Sequence, residues 1–164
     1  MNYRTNSYSP IFNREDFLSK LELLGGYDNS FHLRILETVL LPFSAVTITK
    51  ERGEVCEIKT PCYRLDKKLY TCVQFLEKGE IVPNQVPSKE EIVHRLYDFP
   101  KIPYLLGGTT PYPVDLGREL SGIAFDDRHR KLFGIDCSGL LYFVTNGHTP
   151  RNTSQLMEFG EEVK

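Results

Sequence analysis

Nowhere in the 164 residues does an apolar run approach the ~20 consecutive residues needed to span a bilayer, and the first ten, Met1 to Pro10, lack the apolar core of a secretion signal. A cytoplasmic location with no membrane partner is the expectation. Charge imbalance is lacking too: 20 Lys and Arg against 22 Asp and Glu leave a formal charge of −2, which gives no reason to expect nucleic acid as a partner. The densest basic run, Arg128-His129-Arg130-Lys131, directly follows Asp126-Asp127 and reads as a solvated loop. Repeats and low-complexity tracts are absent. Three of the four cysteines, Cys56, Cys62 and Cys72, stand at spacings that match no common zinc pattern, so they read as reduced strand residues. Neither a metal nor a cofactor is implied.

What is present is ample material for a core, 40% hydrophobic with 12% aromatic, enough for one domain or two small ones. Asn13 followed by Asp16 resembles a capping arrangement, and Phe17, Leu18, Leu21 and Leu24 then fall at helical spacing before Gly25-Gly26, which predicts an amphipathic helix over residues 14–24. From Ile35 to Ile81 the texture changes to short β-branched and aromatic runs, Val46 to Thr49, Val55 to Lys59 and Leu69 to Leu76. Turn signals at Arg52-Gly53, Thr60-Pro61 and Lys78-Gly79 punctuate them. These predict a small antiparallel barrel or sheet. Pro83 to Pro87 reads as a linker between a first unit, residues 1–85, and a second, residues 86–164. Ser88 with Glu91 forms a capping box for a helix that runs to Pro100 and carries His94 on its polar side. Pro103-Tyr104-Leu105-Leu106-Gly107-Gly108 follows, its glycines suited to a sharp turn or a close approach. Residues 109–135, with Pro111, Pro113 and three glycines, read as a long connection, and connections of that length usually serve function or move.

The most informative stretch is Gly134-Ile135-Asp136-Cys137-Ser138-Gly139 with the apolar run Leu140 to Val144 behind it. It predicts a helix with Asp136 as N-cap, Gly139 for close packing, and Asn146-Gly147 as the stop. A thiol in the first turn faces unpaired backbone N–H groups and the positive end of the helix dipole, which favour the thiolate, the nucleophilic form.

Pro103-Tyr104 with Gly107-Gly108, then Asp136-Cys137-Ser138-Gly139-Leu140, then Pro150-Arg151-Asn152-Thr153-Ser154-Gln155 and Gly160 together resemble the NlpC family of bacterial cell-wall cysteine peptidases, over about residues 88–164. The resemblance implies an α+β fold: a small antiparallel SH3-like β-barrel, residues 1–85, followed by the N-terminal part of a papain-like domain. It implies hydrolysis of γ-D-glutamyl-diamino acid bonds in murein stem peptides. Cys137 would be the catalytic nucleophile, and Tyr104, Asp136 and Ser138 would bind substrate, the last two at the amino end of a short peptide. Tyr104 could otherwise be a core aromatic and Asp136 a plain cap. Arg151 either pairs with a carboxylate to hold the turn after the thiol helix or takes part in catalysis.

Such a peptidase needs a histidine base, which in the family comes well after the thiol helix. The sole histidine after Cys137 is His148, roughly 16 Å along the helix axis if residues 137–147 are helical. His32, His94 and His129 precede the thiol, and His129 could reach it only by folding back. The expectation is therefore an incomplete domain, nearly inactive alone. It would expose Leu140, Leu141, Phe143 or Val144, or cover them with the remainder of the domain or another chain. The 109–135 connection would lid the groove. Two other readings stand: a non-catalytic module binding peptidoglycan or protein, and a papain-like thiol enzyme acting on other amides.

Overall fold

A computed structural model describes residues 2–23, 35–63, 66–97, 99, 101–120 and 130–160 of the protein. His32 and His129, and the Asp126-Asp127 pair, lie outside them. The fold mixes helix and sheet. Seven strands, β1 (Tyr3–Thr5), β2 (Ser9–Phe12), β3 (Leu36–Leu40), β4 (Ala45–Arg52), β5 (Val55–Lys59), β6 (Leu69–Cys72) and β7 (Leu76–Lys78), pair antiparallel in the order β3-β2-β6-β5-β4-β1-β7. The expected closed barrel is corrected: among the described residues β3 and β7 stand at opposite ends of this order and do not pair. The expected strand from Leu69 to Leu76 is interrupted by a tight turn at Val73–Phe75, which lets the chain leave β6 and pair again as β7 beside β1.

Strand alternation places an apolar cluster on each face of this sheet. Ile11, Cys56, Ile58 and Leu69 point to one side, while Phe12, Tyr70 and Cys72 point to the other. On the second side Phe12 stacks on Phe17 of helix α1 (Phe17–Leu23), with ring centroids 4.1 Å apart. Asn13, expected in a cap, sends its amide to Glu37. Cys62, expected in a strand, lies in the turn after β5; Cys56 and Cys72 are strand residues, and all the cysteines are free.

The same cluster takes in Leu105, Val114, Leu116 and Leu132 from beyond the segment 83–87, which has neither helix nor strand. Asn84 and Gln85 of that segment are bonded to Asn146. The capping box forms: Glu91 N donates to Ser88 Oγ and Ser88 N to Glu91 Oε2, opening helix α2 (Lys89–Tyr97).

Residues 109–135 are not a bare connection. Strand β8 (Thr109–Asp115), helix α3 (Leu116–Glu119) and strand β9 (Lys131–Ile135) occupy most of the span, with β8 and β9 paired antiparallel. Pro111 and Pro113 are tolerated because the register shifts between Thr110 and Val114, where ladder donors are not required. Lys131 opens β9, and Arg130 pairs with Asp115 at 2.8 Å, so neither belongs to a solvated loop. Val114, Leu116, Leu120 and Leu132 of this span are buried in the same core cluster, and residues 121–129, the tip of the expected lid, lie outside the described residues. Strand β9 leads into helix α4 (Cys137–Val144), and helix α5 (Thr153–Leu156) follows with Asn152 as its cap. Of the apolar residues of α4, Leu141 is 43% exposed, Leu140 and Phe143 are half-buried, and Val144 is buried. Phe143 packs edge-on against Phe99. Among the described residues no helix is long and apolar enough to cross a membrane.

Candidate active site

Asp136 directly follows β9 in extended conformation and caps α4: its Oδ1 accepts from Gly139 N at 2.7 Å. The cap sets Cys137 as the first helical residue, exposed, with the backbone N–H groups of Cys137 and Ser138 unpartnered among the described residues. Two such donors at a helix start are suited to a developing oxyanion. Helix α4 can sit this close because residue 139 is glycine. A Cβ there would lie 2.1 Å from Gly108 O, far inside contact distance. Residue 108 is constrained in the same way, since a Cβ would meet Gly134 O at 2.5 Å. The segment Pro103–Leu105 runs alongside Ile135, with Leu105 N donating to Ile135 O and Ile135 N to Pro103 O. Tyr104 is thus paired with the residue two before the thiol, and at 61% exposure it is not a core aromatic.

The Asp136 carboxylate is saturated. Oδ1 also accepts from Ser138 Oγ, and Oδ2 from Gly107 N and from Arg151 Nη2 at 2.9 Å. Arg151, 3% exposed, uses its whole fork: Nε donates to Thr109 Oγ1, Nη1 to Ser138 Oγ, and Nη2 also to Gly108 O. A buried carboxylate and a buried guanidinium thereby compensate each other and tie β8, the glycine loop and α4 together. The structural reading of Arg151 is the one its contacts describe.

Asp136 and Ser138, on either side of the thiol, line a cavity of 380 Å³ whose far wall is Glu37, Tyr63 and Lys67. That volume is at the small end for ligand pockets. Glu37 reaches it because Gly107, with a positive φ of 81°, lies against the β3 backbone. The Glu37 side chain is 9% exposed and accepts from Tyr63 Oη at 2.6 Å, Lys67 Nζ at 3.0 Å and Asn13 Nδ2 at 3.1 Å. Burial works against its ionisation, but these donors outweigh it and hold the carboxyl below its usual range. Burial and the adjacent Glu37 charge push the Tyr63 phenol well above its ordinary value, so it stays a donor. Neither Glu37 nor Tyr63 is marked in the sequence as a site residue. They belong to β3 and the turn after β5, and only the packing of the glycine loop on β3 brings them to the thiol helix.

Two histidines are described. His148 lies beyond the last residue of α4, its Nε2 2.8 Å from Asn84 O, and His94 is on α2 next to Arg95, which bonds Val144 O and Asn146 Oδ1. Both are therefore at the end of α4 remote from Cys137. A larger cavity of 440 Å³ lies at that remote end, lined by Tyr8, Arg95, Tyr112, Phe143 and neighbours, with neither thiol nor carboxylate in its wall. Among the described residues no three His, Cys, Asp or Glu side chains come together as a metal site would require. No family model matches the chain, and no curated protein does.

Proposed function

We propose that this chain supplies the nucleophile and the amino-terminal subsite of a papain-like cysteine peptidase of NlpC type, acting on the γ-D-glutamyl-diamino acid bond of murein stem peptides. The carrying observation is an exposed thiol at the first residue of α4, flanked by two residues that line a pocket containing a buried, ionised carboxylate. The pocket suits a free ammonium. Asp136 has all its lone pairs engaged inside the protein, so the charge that meets the substrate amine is that of Glu37, with Tyr63 beside it. Asp136 and Ser138 shape the wall. The amino-terminal sheet, in the position of the SH3-like unit the family resemblance implies, would then contribute directly to specificity.

In this reading the Cys137 thiolate bonds to the scissile carbonyl carbon, and the Cys137 and Ser138 N–H groups stabilise the oxyanion. Collapse expels the diamino acid amine, which takes up a proton. Water then cleaves the thioester and restores the thiol. The proton carrier of the family is a histidine, and neither described histidine is at the Cys137 end of the helix. That observation favours a second reading, a module that binds such peptides without cleaving them.

Two measurements decide. Iodoacetamide at neutral pH should label Cys137 faster than N-acetylcysteine, and faster than Cys72, whose thiol burial pushes up to about 12. Release of L-Ala-D-Glu from a murein tripeptide should be slight for the 164-residue chain. Labelling no faster than the free standard would remove the activated nucleophile and leave the binding module.

A further inference from the structure

Glu37 and Asp136 face one cavity, yet their counter-charges are held in opposite ways. Arg151, the partner of Asp136, is 3% exposed and fixed by hydrogen bonds to four different groups, so it cannot leave without unfolding its surroundings. Lys67, the partner of Glu37, is 54% exposed, and among the described residues Glu37 is its only ion-pair or hydrogen-bond partner. A carboxylate that is 9% exposed needs a compensating cation, but an exposed lysine supplies one that is only lightly held.

We propose that Lys67 is a resident occupant of the amine subsite: in the peptide-free protein its ammonium neutralises Glu37, and the ammonium of an incoming peptide displaces it into solvent. The inference rests on the amine-subsite reading given above and adds to it a built-in competitor. Chemically the exchange is one for one, since a peptide α-ammonium and a lysine ammonium are both compact cations with three donors. Tyr63 and Asn13 keep their bonds to Glu37 throughout, so the carboxylate does not need to reorganise. Lys67 lines the same cavity as Asp136 and Ser138, so its ammonium lies where an amine-terminated ligand has to arrive. A peptide lacking the ammonium would have to leave the lysine in place or strand a buried negative charge, and is excluded on either count. Lys67 is thus a specificity-determining group that never contacts the reacting atoms.

The test is calorimetric titration of L-Ala-γ-D-Glu-diaminopimelate, and of its Nα-acetylated form, into the 164-residue chain carrying Cys137→Ala so that peptide is not consumed. In that background Lys67→Met should tighten binding of the free-amine peptide by about two- to fivefold, the range an exposed ion pair commands. Acetylated peptide should gain nothing, and Lys67→Arg, which keeps a cation at Glu37, should bind as the parent does. Unchanged or weaker binding by Lys67→Met overturns the proposal while leaving the amine subsite intact, provided Glu37→Gln and acetylation both weaken binding. If neither of those two changes has an effect, the amine subsite falls and the resident lysine with it.

Discussion

Arg151 offers the sharpest test of how the site is built, because its contacts make a definite demand on stability. Replacing it with methionine keeps much of the apolar stem and removes the fork. Thr109 Oγ1, Ser138 Oγ, Gly108 O and Asp136 Oδ2 each lose a donor in one step. Gly108 O keeps the bond from Asp136 N and Ser138 Oγ its bond to Asp136, while the buried Thr109 hydroxyl loses the one side-chain bond it makes among the described residues. The Asp136 carboxylate, its side chain 8% exposed, loses the one cation paired with it among the described residues. Breaking a buried pair from one side costs about 3–5 kcal/mol. In a domain of this size ~1 kcal/mol moves Tm by roughly 2–4 °C, so a fall of about 6–20 °C is expected. Urea unfolding followed by far-UV circular dichroism gives the free energy directly. Arg151→Lys should recover only part of it, since an ammonium cannot reproduce a planar fork reaching four acceptors. Asp136→Asn combined with Arg151→Met should cost less than the two single changes together, because the stranded charge is then absent. A single-variant cost below about 1 kcal/mol, or strict additivity in the pair, would refute the claim that this buried ion pair holds the thiol helix against β8.

Gly139→Ala should destabilise by about 1–3 kcal/mol, since the new Cβ would fall 2.1 Å from Gly108 O and α4 must move away from the glycine loop. An alanine variant as stable as the parent would mean the helix is not held at that separation. Glu37 should leave a signature in acid. Its folded carboxyl lies below its ordinary 4.5, so its contribution is fully present above that value and is lost as pH falls through the lower folded one. The stability difference between parent and Glu37→Gln should therefore hold steady from about pH 7 to 5 and shrink below 4.5. A difference independent of pH across that window would count against an ionised Glu37.

The parts of this site that were legible in the sequence are those whose cause is local. The Ser88-Glu91 capping box, the Asp136 cap, the demand for a glycine at residue 139 and the stop at Asn146-Gly147 are each set by backbone groups within a few residues. That Arg151 pairs with a carboxylate was also legible, but the expectation placed it at the turn after the thiol helix, whereas the guanidinium reaches back to the Asp136 cap at the helix start. Strands β1 and β2 were not. They are short and carry polar residues, and they are strands only because β4 and β7 receive the first and β3 and β6 the second. Strand β8 was hidden by Pro111 and Pro113, which read as loop until the register shift explains them.

Glu37 and Tyr63 were illegible for a stronger reason. In β3 the residue following Leu36 is a half-buried position between core residues, a place where a glutamate ordinarily reads as a solvated strand residue. What sets it apart from a solvated acid is the Gly107 backbone lying against β3 beside the cavity it lines, together with donors from Asn13, Tyr63 and Lys67. Closure raises the cost of the charge and the donors offset it, so the carboxylate stays ionised in a place where water cannot freely compensate it. An acid in that condition is selective in a way a surface glutamate is not: a cation that matches it gains, and a neutral group leaves the charge unpaired. In the proposed reading the thiol motif would carry the chemistry, while discrimination between substrates would be built by a strand and a turn far from it in sequence, joined to it by a glycine loop and one buried arginine.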